Sequence, residues 1–312
     1  MIGALGDLVE DVVVWPSGPV RPGTDTPSAI HRRRGGSAAN VAVMIARSGA
    51  QARFLGQVGV DPQGERLLAE LAGEGVDARV MRGGRTGTIV VIVDPDGERG
   101  FLTDRGACVE LDTADPGWLA GLAVLHVPGY SFTVDPLAAT AIRFCELATD
   151  RGIPITVDAS STGALVDAGP ARVLAIVERI APAVLFANAD EAALLGLGPD
   201  RPAPGATWTV IRHGAAPTVV GGRGGDATVV PVPAVSGVVD TTGAGDAFAA
   251  GFLVAWHGGA DAVVATAAGH RLAARVLGRA GADLAPEPTP PPTRPVAPPV
   301  ADADTDTDRS RT

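Results

Sequence analysis

The chain has 312 residues, 46% of them hydrophobic and only 4% aromatic, which is enough to build a large core mainly from Ala, Val and Leu. Its 35 acids outnumber its 25 bases for a net charge of -10, which argues against a nucleic-acid backbone or an anionic membrane surface as main partner. All 25 bases are arginine; a chain without lysine can have no P-loop ending in Gly-Lys-Ser/Thr, no pyridoxal phosphate Schiff base and no lysine-based aldolase chemistry.

The opening run, MIGALGDLVEDVVV, carries acids within its apolar pattern and has no basic n-region, so it reads as a first strand and not as a signal peptide. Further along, apolar β-branched runs at 12–14, 88–94, 124–127, 153–157, 184–187, 208–211 and 227–232 predict strands. Ala/Leu-rich stretches of helical period at 40–48, 64–72, 136–149, 169–180, 189–195 and 245–257 predict helices between them. This alternation predicts an α/β fold: a doubly wound, mostly parallel sheet with helices on both faces. One region breaks it. Residues 88–94, a turn at Asp96-Gly97 and residues 99–103 read as a β-hairpin, a small antiparallel β lid suited to covering a ligand cleft. From Pro286 the chain changes character, with eight Pro up to Pro299 and then alternating Asp. Such a segment cannot bury apolar surface and predicts a disordered tail over 286–312.

Cys108 and Cys145 form neither a disulfide framework nor a metal spacing, and both read as buried, inert thiols. The five histidines show no paired-ligand spacing. No apolar run is long enough to span a membrane, and the expected location is cytoplasmic.

The densest chemical signal is Asp240-Thr241-Thr242-Gly243-Ala244-Gly245-Asp246, a short strand running into small residues and an Ala-rich helix. Small residues let a backbone approach a ligand closely, and the free amides at the helix start favour an anion. An Asp in the first turn is favoured by the helix dipole, so a capped helix after a glycine turn explains part of the pattern. It does not explain why a nest of amides and two acids are grouped together.

The stretch DTTGAGDAFAAGF resembles the C-terminal signature of the ribokinase-like (PfkB) carbohydrate kinases. Four further pieces are similar to that family, in its order: Gly6 with Asp11, Gly35-Gly36-Ser37-Ala38-Ala39-Asn40, the G-x-x-G-x-D-x-x-G run from Gly56 to Gly64, and Asn188-Ala189-Asp190-Glu191. The resemblance implies one ribokinase-like kinase domain over 1–285, with a lid from about 12–34 and 86–105. It implies ATP-dependent phosphorylation of a sugar or sugar-like hydroxyl. Asp246 would be the general base, and Gly243, Ala244 and Gly245 an anion hole for the transferred phosphoryl group. Asp11, Gly35, Gly36, Asn40 and Arg105 would contact the substrate. Asn188, Glu191, Gly214, Thr241 and His270 would lie along the nucleotide, with Asn188 and Glu191 holding Mg²⁺ through water. Asp240 and Thr242 resemble a monovalent-cation loop, which implies K⁺. Asn188 and Glu191 also have the spacing of a helix capping box, and the two roles are compatible.

Pro217 stands where the family commonly has a second Gly of the nucleotide-side element, and Arg32-Arg33-Arg34 reads as a solvated lid edge. His270 reads first as a surface residue, with a place flanking the nucleotide base as the second reading. A nucleoside kinase of the same family is the alternative within the class, and a non-catalytic sugar or nucleotide sensor the alternative outside it. A dinucleotide-binding fold is disfavoured, because Gly222-Arg223-Gly224-Gly225-Asp226-Ala227 leads into a strand and not a helix. The open strand edges of a lid imply a homodimer.

Overall fold

A computed structural model describes residues 1–94, 99–235, 237–238 and 241–277. The expected turn at Asp96-Gly97, Asp240 and the tail over 286–312 lie outside the described residues. In chain order the elements are β1 (Ile2–Leu5), β2 (Val9–Pro16), β3 (Ser28–Gly35), α1 (Ser37–Arg47), β4 (Ala52–Val58), α2 (Pro62–Gly73), β5 (Asp77–Arg82), β6 (Thr86–Val93) and β7 (Arg99–Gly106). They continue as β8 (Val124–Pro128), α3 (Leu137–Thr149), β9 (Ile155–Asp158), α4 (Thr162–Ala168), α5 (Pro170–Ile180), β10 (Val184–Asn188), α6 (Ala189–Leu194), β11 (Trp208–His213), β12 (Ala216–Gly222), β13 (Ala227–Val230), α7 (Ala244–His257) and α8 (Ala262–Leu277).

Among the described residues a nine-stranded sheet runs β13-β12-β11-β10-β9-β8-β1-β4-β5. It is parallel from β5 to β11, and only β12 and β13 run antiparallel at one edge. One helical layer, with Phe144 and Cys145 of α3 and Val177 of α5, packs with Leu125 and Leu185 on one face. The other layer is α1, α2, α7 and α8. Six of the seven Phe are fully buried, so aromatic rings anchor an otherwise aliphatic core; Phe186 meets Phe252 edge-on at 4.9 Å. The succession β1-β4-β5 runs one way and β8-β9-β10-β11 the other. Strand order therefore reverses beside β1, and in open α/β sheets ligands bind outside the carboxyl ends of the strands at that point.

The second sheet, at the place expected for the lid and called so below, has the order β3-β2-β6-β7. It starts at Val9 and ends at Gly106, slightly wider than expected. Its two outer pairings are antiparallel, and its central β2–β6 pairing is parallel. Three strands of the body escaped the sequence reading. β5 is an edge strand of alternating polar residues, β12 contains Pro217 and two Gly, and β4 coincides with the glycine-spaced motif.

Candidate active site

The site assembles where the amino ends of α1 and α7 converge. Ala38, Ala39 and Ala42 of α1 share a buried cluster with Ala247, Ala249 and Ala250 of α7, and small residues let the two backbones come close. The contact puts the first turns of both helices on one carboxylate. Ser37 Oγ donates to Asp246 Oδ1 at 2.6 Å, and Asn40 Nδ2 donates to Asp246 Oδ2 at 2.9 Å. Two helix amino ends add a favourable potential for negative charge there. Burial nevertheless dominates and pushes the Asp246 carboxyl up to about 6, against the Ser37 and Asn40 hydrogen bonds, with Asp158 raising it further.

Asn40 is oriented from behind. Arg34 Nη1 donates to Asn40 Oδ1 at 2.7 Å, which turns the amide NH₂ toward Asp246. Asp11 stands on β2 beside this group, and burial pushes its carboxyl up to about 6, against Arg34 and Arg33 and with help from Asp246. Gly36 begins α1 at φ 96, and a Cβ there would stand 2.3 Å from the Asp7 carbonyl oxygen, so only glycine fits. A Cβ on Gly35 would collide with the Asp11 carboxylate.

Strand alternation puts Arg33 on the face of β3 opposite to Arg32 and Arg34, and the three have different partners. Arg32 pairs with buried Glu10, Arg33 lies over Trp15, and Arg34 reaches the site. The expectation of a purely solvated edge is thus corrected for Arg34. The Arg105 side chain is 13% exposed, and its fork grips Asp7 through two 2.7 Å bonds, with Nη1 on Thr133 at 3.1 Å, so in this structure its donors are taken by the chain.

On the opposite wall Asp158 ends β9, Asn188 ends β10 and Arg212 lies next to the end of β11, in register with Asn188. Asn188 and Glu191 form a complete capping box: each backbone amide is held by the other's side chain, and Asn188 Nδ2 donates to Glu191 Oε1 at 2.8 Å. Burial, with Asp158 adding, raises the Glu191 carboxyl to about 7. Arg212 Nη2 donates to Asp158 Oδ2 at 2.9 Å, and Nη1 to the Gly245 carbonyl at 3.3 Å.

Gly243 caps α7 at φ 76, the Ala244 amide bonds back to the Thr241 carbonyl, and Thr242 Oγ1 receives a hydrogen bond from Arg99 of the lid. Gly214, at φ 62, and Ala215 form the turn between β11 and β12. His270 is 6% exposed, against the expectation of a surface residue; it packs edge-on against Phe248 at 5.0 Å beneath α7. The structure therefore gathers Asp11, Gly35, Gly36, Asn40, Gly243, Ala244, Gly245 and Asp246 in one cleft. Arg34, expected at a solvated edge, joins them, and so do Ser37, Asp7, Asp158 and Arg212, which had not been assigned a role. Only Ser37 carried a signal, its place between the glycine pair and Asn40.

The family model described as pfkB family carbohydrate kinase matches residues 2–290. A fructokinase of Klebsiella pneumoniae is 32% identical over 287 residues, covering 85% of this chain and 88% of the relative. An ATP-dependent ribose-1-phosphate kinase of Halopiger xanaduensis is 31% identical over 285 residues, covering 85% and 88%. Among solved structures, an adenosine kinase from Sinorhizobium meliloti superposes with a TM-score of 0.78 at 24% identity, over 92% of this chain and 95% of that one.

Proposed function

Because the chain belongs to the pfkB family of carbohydrate kinases, and is thus a sugar kinase, we propose that it moves the γ-phosphoryl group of ATP onto a hydroxyl of a neutral sugar with Asp246 as general base. The observation that carries this reading is the clamp on Asp246, where two helix amino ends, Ser37 and Asn40 hold one half-buried carboxylate in place. A carboxyl pushed up to about 6 is a stronger base than an ordinary Asp and is still ionised at neutral pH. Asp246 takes the hydroxyl proton as the sugar oxygen bonds to γ-phosphorus, the bond from γ-phosphorus to the bridging oxygen breaks, and ADP leaves. The amides of Gly243 and Gly245 are the donors offered to the charge that develops on the phosphoryl oxygens, the Ala244 amide being held by the Thr241 carbonyl. Asp11 and the Asn40 amide select a polyol, since paired polar groups left without hydroxyls would be penalised.

The residues present fit the nucleotide and its metal. The amino end of α7 is a ready anion site, and a buried guanidinium atom, Arg212 Nε, lacks a hydrogen-bond partner among the described residues. Asp158, Asn188 and Glu191 form an oxygen-rich set for a hydrated Mg²⁺, and the capping box keeps Glu191 from direct ligation. When bound, Mg²⁺ would offset phosphate charge. The K⁺ expectation rests on Thr242 and on Asp240, which is outside the described residues.

A phosphorylated sugar is the second reading. It is favoured by Arg33 and Arg34, whose charges both act on Asp11, and by the relative named as a ribose-1-phosphate kinase. ADP release with MgATP, with and without K⁺, across hexoses, pentoses, pentose phosphates and nucleosides decides between them. Turnover confined to nucleosides, or ligand binding with no ADP from any acceptor, would overturn the sugar reading.

Two copies are proposed to pair through the outward lid face, where Ile30 and Leu102 are 59% and 62% exposed beside Val12 and Val90. Sedimentation at one chain per particle would refute the pairing. Among the described residues no helix is long and apolar enough to cross a membrane.

A further inference from the structure

Arg212 is placed at cost. It is a guanidinium with a side chain only 14% exposed, set against the first turn of α7, whose dipole repels a cation. A Cβ on Gly245 would stand 3.1 Å from Arg212 Nη1, so the guanidinium lies directly on the backbone of the Gly-Ala-Gly turn. Its guanidinium carbon lies 5.4 Å from the centroid of the Phe248 ring, which fixes its approach.

Its hydrogen bonds are not those of a finished structural ion pair. A structural Arg–carboxylate pair takes two parallel bonds. Arg105 and Asp7, in the same cleft, do so, and Thr133 takes a third donor. Arg212 gives Asp158 a single bond, leans on a carbonyl at 3.3 Å, and leaves Nε buried with no partner among the described residues. Its charge still acts on Asp246, Glu191 and His270. It therefore stands among the base, the capping-box acid and the anion-hole turn.

We propose that Arg212 is the cation that grips the transferring phosphoryl group, with Asp158 as its holding partner until nucleotide arrives. This rests on the kinase reading of the same cleft. The guanidinium donates to non-bridging phosphoryl oxygens, and no covalent bond to it forms or breaks. In a chain with no lysine it supplies the fixed positive charge that many phosphate sites take from a lysine. Unlike an ammonium, its planar fork serves two oxygens at once.

The test uses the full chain with Arg212→Gln and Arg212→Lys. Calorimetry measures adenosine, ADP and a non-hydrolysable ATP analogue, with and without Mg²⁺, and steady-state assays measure turnover. Adenosine and ADP affinities are expected to stay within about threefold, while Arg212→Gln removes the extra affinity due to the γ-phosphate. kcat should fall about 10²- to 10³-fold, the range for losing one donor to developing charge. Arg212→Lys, which keeps the charge and stem, should recover part of both losses and guards against a fold defect in the first variant. Equal loss of adenosine and analogue binding would show a structural role and overturn the proposal, as would kcat within threefold of wild type. The binding arm needs no acceptor. If wild type phosphorylates nothing on the panel, the kinase reading fails there, while the affinity ratio still decides the role of Arg212.

Discussion

The two ion pairs of the cleft are built from the same residue types and are finished to different degrees. Asp7–Arg105, under the lid, is closed: a bidentate pair, a third donor on Thr133, side chains 9% and 13% exposed. Asp158–Arg212, below the amino end of α7, is similarly secluded yet singly bonded, with one donor idle. A buried donor without a partner costs about 1–3 kcal/mol, and such a cost persists where a ligand repays it. The difference teaches that the lid-side pair is satisfied by the chain itself, while the pair below α7 keeps a donor that, on the proposed reading, a ligand would complete.

The sharpest way to break this comparison is at the shared carboxylate. Asp246→Asn is expected to lower kcat by about 10³-fold, within the range for a lost general base. Because burial raises its pKa, the folded state holds a proton on Asp246 more tightly than the unfolded chain does. Ionisation therefore costs stability as pH rises from about 4 through about 6. The variant should accordingly melt no lower than wild type at pH 7.5, and calorimetric melting beside the assay separates lost chemistry from lost fold. Next, Asn40→Ala removes a hydrogen bond to a charged group and leaves Arg34 without its amide acceptor. A loss of about 1.5–3 kcal/mol is roughly 10- to 100-fold in kcat/KM for sugar, while KM for ATP should hold.

The pH profile sharpens the lid-side half. Asp11 and Asp246 both have carboxyls near 6, so kcat/KM for sugar should fall at least tenfold between pH 6 and 5. A profile flat to pH 5 would deny the burial of both. Smallest is the lid latch. Arg99→Ala removes the hydrogen bond to Thr242, and a loss of about 0.5–1.5 kcal/mol predicts a few-fold rise in the sugar KM.

Much of this was legible in the sequence. The doubly wound sheet follows from its apolar strand runs, and the helix start that carries Asp246, the base proposed here, from one contiguous glycine-rich stretch. What escaped has physical reasons. β12 carries a Pro and two Gly, and Pro217 is tolerated because it sits at the start of the strand, before the ladder with β13 begins at Thr218. Arg34 read as surface because a single strand does not say what its end faces; its acceptor, Asn40, lies beyond Gly35 and Gly36, the latter at φ 96. Arg212 and Asp158 are 54 positions apart, and no local pattern distinguishes either from an ordinary strand-end residue. His270 gave no sign of burial, because its Phe248 partner is on another helix.

The parallel β2–β6 pairing at the centre of the lid has a consequence for how the chain is made. Parallel neighbours cannot be closed by a tight turn, and here β3, α1, β4, α2 and β5 intervene. On a ribosome β2 and β3 emerge first and wait, one edge bare, until most of the first half of the body has been synthesised. The lid is therefore expected to be among the last parts of that half to lock, at the rate of a non-local contact and not of a hairpin. In pulse-labelled refolding, the amides of β2 and β6 should gain protection together and after those of β1 and β4.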